Sequence, residues 1–179
     1  HNENQTLWLV FNGEIYNFQE LRYHLELKGH KFYTRTDCEV VVHLYEEYAD
    51  DCVKHLRGMF AFAVWDSVGR KLFLARDRIG IKPLYYTLSN GTFYFASELK
   101  ALLKAGVIKK EINYEAIHNF LTFLYVPAPL SIFNAVFKLP PGHILRFQDG
   151  SYSIEQYWDL ELNVNKEKDE IFYLDRIYD

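Results

Sequence analysis

Met59-Phe60-Ala61-Phe62-Ala63-Val64-Trp65-Asp66, a turn signal at Gly69, and then Lys71-Leu72-Phe73-Leu74-Ala75-Arg76-Asp77 decide the fold. Both flanks have strand length and are rich in aromatic and branched residues. The second returns beside the first as a hairpin. Two further pairs repeat the pattern. Leu84 to Leu88 and Thr92 to Ser97 flank Asn90-Gly91, and His143 to Phe147 and Tyr152 to Trp158 flank Asp149-Gly150. Asn-Gly and Asp-Gly suit two-residue turns because both central positions need positive φ. Leu84 to Leu88 and Thr92 to Ser97 are apolar at nearly every position, so both of their faces are expected to be covered.

Outward from this sheet the periodicity changes. Leu7 to Phe11 reads as a strand stopped by Asn12-Gly13. Asn17 with Glu20 has the spacing of a capping box, Phe18, Leu21 and Leu25 share one helical face, and Gly29 fits the stop. A short strand is expected over Lys31 to Thr34. A second box, Thr36 with Glu39, opens a helix whose Val41, Leu44, Tyr45 and Tyr48 form an apolar stripe. Ser97 is expected to cap a helix through Lys104. Asn113 is expected to cap another, with Ile117, Phe120, Leu121 and Leu124 turned inward. Pro127 to Gly142 reads as loop. Strands in hairpins and helices in groups give an α+β class with antiparallel sheets and helices outside.

The 179 residues suffice for one domain with its own core, and 49% of them are apolar. Fourteen Tyr and fourteen Phe favour sheet packing. A net charge of -4 gives no support for nucleic acid as a partner, which would need a basic stripe. No apolar run has the length of a membrane span, and no signal peptide opens the chain. Cys38 and Cys52 make no disulfide framework and lack the paired spacing of a zinc site. Free thiols in a reducing cytoplasm are the expectation.

Three stretches could carry chemistry. In Phe11 to Asn17 the bland reading is strand, turn and helix start. The chemical reading is that the Asn12 carboxamide and the Gly13 N–H donate to one oxygen, the composition of an oxyanion hole. In Thr36-Asp37-Cys38-Glu39 the cap accounts for Thr36 and Glu39 and leaves Asp37 free to hold a cationic group such as an α-ammonium. Cys38 makes a poor nucleophile, since no His lies near it in sequence. From Arg76 to Tyr86 charged residues stand between apolar strands, as a solvated loop or as a buried Arg–Asp network.

Together these stretches resemble the glutaminase domain of bacterial B-type asparagine synthetases. The resemblance runs through Leu7 to Asn17, Thr36 to Glu39, Arg57-Gly58-Met59-Phe60-Ala61-Phe62 and Arg76 to Tyr86. It continues through Ala96 to Leu102, Leu139-Pro140-Pro141-Gly142-His143 and Tyr157-Trp158-Asp159. It implies the N-terminal-nucleophile architecture, a four-layer sandwich of two antiparallel sheets between helix layers, here incomplete at the N-terminus. An N-terminal Cys, removed from His1 by the absent front segment, would attack the glutamine side-chain amide. Asn12 and Gly13 would form the oxyanion hole. Asn12, Gly13 and Glu14 would line the glutamine pocket, and Asp37 would hold the glutamine α-ammonium. The resemblance places the glutaminase domain at residues 1–160. Residues 161–179 then read as a linker and the start of a synthetase domain on the same polypeptide, where ATP and Mg act to amidate aspartate. No cofactor or metal is implied in the glutaminase part, glutamine is its partner, and a homodimer is allowed. A sugar-aminating relative and a non-catalytic glutamine-binding domain are the alternatives. The chain by itself is expected to hydrolyse no glutamine.

Overall fold

The computed structural model describes residues 1–162, 170 and 172–174. Of the expected linker and synthetase start at 161–179, residues 163–169, 171 and 175–179 lie outside them. Within residues 1–162, eight strands and five α-helices occur in the order β1 (Leu7–Ile15), α1 (Phe18–Leu27), α2 (Glu39–Tyr48), α3 (Cys52–His55), β2 (Gly58–Asp66), β3 (Lys71–Arg76), β4 (Tyr85–Ser89), β5 (Thr92–Ala96), α4 (Leu99–Lys104), α5 (Tyr114–Phe123), β6 (Phe137–Lys138), β7 (His143–Gln148) and β8 (Ser151–Gln156). One antiparallel sheet has the order β1-β2-β3-β7-β8 and a smaller one β5-β4-β6.

Alternation along the central strands sorts side chains between two cores. Phe60, Phe62 and Val64 of β2 and Phe73 and Ala75 of β3 face α1 and α2, where they meet Leu21, Leu25, Val40, Val41 and Leu44. Ala61, Ala63, Leu74 and Leu145 face the second sheet and meet Leu84, Tyr86 and Leu139. The order of layers is therefore helices, five-stranded sheet, three-stranded sheet. Helix α4 packs beside β5 and buries Leu102.

All three hairpins form. Asn90 and Gly91 have φ of 51° and 75°, and Asp149 and Gly150 have 51° and 79°, as two-residue turns require. At the β2–β3 turn Asp66 Oδ1 accepts the N–H groups of both Val68 and Gly69 at 2.9 Å. Helix α1 ends as read from Gly29. The Gly29 N–H reaches the Glu26 carbonyl and the His30 N–H the Leu25 carbonyl, a Schellman pair with Gly29 at φ 98°.

Several expectations fail for identifiable reasons. Asn12-Gly13 is no turn: β1 runs through it to Ile15, paired residue for residue with β2. Asn17 makes no side-chain cap. Its carboxamide bridges to the His55 carbonyl and the Arg57 N–H at 3.0 Å each, tying α1 to the approach to β2. Lys31 to Thr34 is not a strand. The Glu39 carboxylate takes the N–H groups of Tyr33 and Thr34 at 2.7 and 2.8 Å, so a side chain replaces a strand partner and the Thr36 box never forms. Glu98, not Ser97, precedes α4. Strand β5 is an edge and is only half-buried, so only one face of that hairpin is covered. Asn113 caps α5 as read, accepting from Ala116 N, but the face expected inside is largely outside. Leu121 is 74% and Leu124 81% exposed, and Ala116 alone in the helix is buried.

Candidate functional site

Strand β1 is the edge of the larger sheet among the described residues, and its backbone polarity alternates from residue to residue. Phe60 turns its carbonyl toward β3, where it accepts the Asp77 N–H at 2.8 Å. Its β1 partner is Gly13, so Gly13–Phe60 is a non-hydrogen-bonded pair. The Gly13 N–H therefore points away from β2, to the open edge. Ile15, two residues on, has the same polarity, and its N–H is taken by Asp37 Oδ2 at 2.8 Å. Leu7, of the same parity, gives its N–H to Asn2 Oδ1 at 3.1 Å. The open edge between these two clasps carries the N–H groups of Leu9, Phe11 and Gly13.

Gly13 is required by packing. A Cβ there would lie 2.1 Å from the Met59 carbonyl oxygen and 2.7 Å from Phe60 Cα, and φ is +155°. Gly58 has the reciprocal relation, with a Cβ falling 2.1 Å from the Glu14 carbonyl oxygen. The two glycines let β1 and β2 close on each other at the end where the candidate residues lie.

Asn12 projects to the side of the smaller sheet. Its Nδ2 donates to Ser97 Oγ at 3.3 Å, at the exit of β5. A cavity of about 140 Å³ opens here between the sheets, lined by Asn12, Ala61, Ala63, Leu84, Phe95 and Ser97. Ala61 and Ala63 make room for it, since their methyls face a gap that larger side chains would fill. On the opposite side of β1 a second cavity, about 240 Å³, is lined by Leu9, Thr34, Thr36, Cys38, Glu39 and Val42. Asn12 lines the first of these cavities, whereas Gly13 and Asp37 line neither. Glu14 is exposed, and its carboxylate has no hydrogen-bond partner among the described residues. A separate cavity of about 390 Å³, lined by Asn17, Glu20, His24, Lys28, His55 and Arg57 among others, touches none of the four.

Asp37 is half-buried and not free as expected. One oxygen holds Ile15 while Oδ1 has no partner among the described residues. The carboxylate can therefore anchor the edge strand and still present one oxygen to a cation. Cys38 is half-buried with Sγ 3.3 Å from Thr36 Oγ1, and Cys52 is fully buried. Burial pushes the Cys52 thiol far up, with Asp50 adding to it. Neither is placed as a nucleophile.

The Arg76 to Tyr86 stretch is buried at its root, but Arg76 and Asp77 do not pair with each other. The Arg76 guanidinium donates to the carbonyls of Gly80, Lys82 and Leu139, each at 2.7 Å. Asp77, fully buried, accepts the N–H groups of Phe60, Ile81 and Lys82 at 3.2, 2.9 and 3.0 Å. Burial pulls the Arg76 guanidinium down from its usual range, and the neighbouring Asp77 charge opposes that shift. The two charges act as splints for one loop's backbone, which satisfies each without an ion pair. Tyr157 Oη closes the set on the Arg76 carbonyl at 2.9 Å. Sequence reasoning missed Ser97 and Gly58 as parts of this site, because both act through partners distant in the chain.

Residues 1–158 match the glutamine amidotransferase domain family. Glutamine-hydrolysing asparagine synthetase 1 of Bacillus subtilis (strain 168) is 41% identical over 181 residues, which cover 99% of this chain and 28% of the relative. Glutamine-hydrolysing asparagine synthetase 3 of the same organism is 40% identical over 157 residues, 87% of this chain and 26% of the relative. The chain spans little more than a quarter of the length of these curated relatives. Among solved structures, glutamine phosphoribosylpyrophosphate amidotransferase from B. subtilis superposes with a TM-score of 0.61 at 22% identity. That superposition covers 92% of this chain and 31% of the other, a likeness of fold.

Proposed function

The chain belongs to the glutamine amidotransferase domain family, and on that premise we propose that it releases ammonia from glutamine for the amidation of aspartate by a synthetase domain of the same polypeptide. The single observation that carries this reading is the Gly13 N–H on the open edge of β1 beside the Asn12 carboxamide. Attack on a glutamine amide places negative charge on its carbonyl oxygen, and two fixed donors at one strand end stabilise that charge. Asn12 Nδ2 is held by Ser97 and needs only to turn from a 3.3 Å contact to a better acceptor. The attacking thiolate in this reading is an N-terminal Cys, and Asn12 and Gly13 are this chain's part in the step. Asn12, Gly13 and Glu14 line the glutamine pocket, and the second oxygen of Asp37 takes the α-ammonium. ATP and Mg act in the synthetase part, with none in this domain.

Relatives at 41% and 40% identity that are named asparagine synthetases support aspartate over a sugar as the acceptor. No helix among the described residues is long and apolar enough to cross a membrane, which fits a cytoplasmic enzyme. The test uses the full-length protein, with glutamate release from glutamine and asparagine formation followed together. Asparagine formed with glutamine, and also with ammonia in its place, is the expected result. Glutamine turnover that never yields asparagine would overturn the acceptor, and no turnover at all would overturn the glutaminase reading.

A further inference from the structure

We propose that Glu3, His30, His43 and Glu46 form a binding site for a divalent transition-metal ion, zinc above all, that pins the N-terminal segment and the α1–α2 link to α2. One ligand atom from each of the four lies within 4.8 Å of all the others. A tetrahedral zinc with bonds of about 2.1 Å sets its ligands about 3.4 Å apart. His43 Nδ1 is 2.8 Å from Glu46 Oε2 and 3.8 Å from Glu3 Oε2, and His30 Nδ1 is 3.4 Å from the same Glu46 oxygen. These distances bracket the tetrahedral edge, so small side-chain adjustments bring all four atoms to bonding range.

The surrounding contacts orient the ligands. The other Glu3 oxygen, Oε1, accepts the Lys31 N–H at 2.9 Å. Glu46 Oε1 accepts from Asn2 Nδ2 at 2.8 Å. Each carboxylate is thereby fixed with Oε2 turned into the site, as a monodentate ligand. The two imidazoles are arranged alike. Nδ1 of each faces the carboxylates, while Nε2 of His30 lies 3.0 Å from Glu47 Oε1 and Nε2 of His43 lies 3.9 Å from Glu39 Oε1. Metal-bound imidazoles recurrently direct their second N–H at an outer carboxylate, which fixes the tautomer.

His43 supplies an independent sign. The ring is fully buried, and its Nε2 has no hydrogen-bond partner. If a neutral ring donates from Nδ1 to Glu46, Nε2 is left as a buried acceptor opposite another acceptor, Glu39. A metal on Nδ1 moves the ring proton to Nε2, where the Glu39 carboxylate lies. Two imidazoles with two carboxylates suit zinc and give a site of zero net charge. Four protein ligands leave no open position, which is the pattern of a structural rather than a hydrolytic zinc. The ligands come from three separated segments, so the ion would cross-link them.

The experiment takes untagged full-length protein stripped with a chelator and titrates it with zinc chloride by calorimetry, with melting temperature in parallel. One zinc per chain and a raised melting temperature are expected. Cobalt in place of zinc is expected to give the visible absorption of a four-coordinate ion. His30→Ala and Glu46→Gln are expected to abolish both responses, and Glu47→Gln to weaken binding about 10–100-fold. Should either ligand variant fail to fold without metal, Glu3→Gln, at the half-buried ligand of the N-terminal segment, serves in its place. No zinc uptake by the wild-type protein, or uptake unchanged in the ligand variants, would overturn the site. So would a melting temperature that rises on acidification and ignores zinc, which would show two imidazolium rings caged by carboxylates.

Discussion

Asp37 Oδ2 accepts the Ile15 N–H at 2.8 Å, which clamps the lead-in to α2 onto the edge strand two residues beyond Gly13. A carboxamide can accept the same bond through its oxygen, whereas only a carboxylate offers charge to an ammonium. Asp37→Asn in the full-length protein is therefore expected to raise KM for glutamine while melting temperature and ammonia-dependent synthesis hold. A lost charge-assisted contact is worth about 1.5–3 kcal/mol. Asp37→Ala should lower melting temperature as well. If Asp37→Asn impairs both reactions equally, the residue is a clamp and nothing more.

Asn12 is expected to behave in the opposite way to a structural asparagine. Its one side-chain bond, 3.3 Å to Ser97, is weak, so Asn12→Ala should leave melting temperature nearly unchanged. Loss of one oxyanion donor costs about 10²–10³ in kcat. Ser97→Ala should reduce glutamine hydrolysis less, by loosening the carboxamide. Stopped assays of glutamate release on both variants settle the ranking, and normal hydrolysis in Asn12→Ala would remove Asn12 from the site.

How far the sequence carried the fold depends on whether an element's partner was local. Asn90-Gly91 and Asp149-Gly150 name their own turns, and the strands on either side follow at once. Gly29 likewise announces the end of α1. Asn12-Gly13 carries the same residue types and is strand, because Gly13 answers the close approach of Met59 and Phe60, a demand set by residues on another strand. Asn17, Thr36 and Glu39 have the spacing of caps, yet Asn17 and Glu39 direct their hydrogen bonds to other segments. Periodicity in α5 shows which face is apolar but not what covers it, so it predicts Leu121 and Leu124 inside when both are exposed. The metal-type cluster had no sequence signature for a related reason: Glu3 and His30 approach α2 only after the chain folds back.

Glycine substitutions should separate packing from backbone conformation. At Gly29, φ is +98° and a Cβ meets nothing within 4 Å, so Gly29→Ala should cost only the left-handed strain of about 1–2 kcal/mol. At Gly13 and Gly58 a Cβ runs into main-chain oxygen at 2.1 Å, which no rotamer change relieves. Gly13→Ala and Gly58→Ala are each expected to cost roughly 3 kcal/mol or more, or to prevent folding. Urea unfolding of the three variants checks the order, and similar midpoints for Gly13→Ala and Gly29→Ala would contradict the close approach of β1 and β2.

Asp50, two residues beyond α2, ties that helix end to Lys71 of β3 and Arg146 of β7 and gives stability a pH dependence. Burial raises its pKa, but the Arg146 and Lys71 hydrogen bonds outweigh that and hold the carboxyl below its ordinary value. Lys71 Nζ lies 2.7 Å from Oδ1, and Arg146 Nε bonds Oδ2. A depressed folded-state value means the contribution is fully present above the ordinary Asp range. It is lost as pH falls through the folded value, below about pH 4. Asp50→Asn should cost about 1.5–3 kcal/mol at neutral pH. The difference from wild type should shrink toward pH 3. A difference that stays constant between pH 7 and pH 3 would show that charge is not what Asp50 contributes.

Neither cysteine of this chain is expected to act as the nucleophile, and the reasons differ. Cys52 is fully buried beside Val53 and Leu56, and burial with the Asp50 charge suppresses its thiolate. A buried thiol is out of reach of substrate, and without its anion it does not attack an amide. Cys52→Ala should lower melting temperature and leave the rate per folded molecule unchanged. Cys38 lines the cavity on the helix side of β1, which makes it the stronger rival, but its Sγ faces the Thr36 hydroxyl, and no His is among that cavity's lining except His1. Cys38→Ser in the full-length protein should keep glutamine hydrolysis. A glutamine-analogue alkylator should label neither Cys38 nor Cys52, as peptide mapping by mass spectrometry would report. Labelling at Cys38, with hydrolysis abolished in Cys38→Ser at unchanged melting temperature, would move the reaction to the other face of β1 and take the oxyanion role from Asn12.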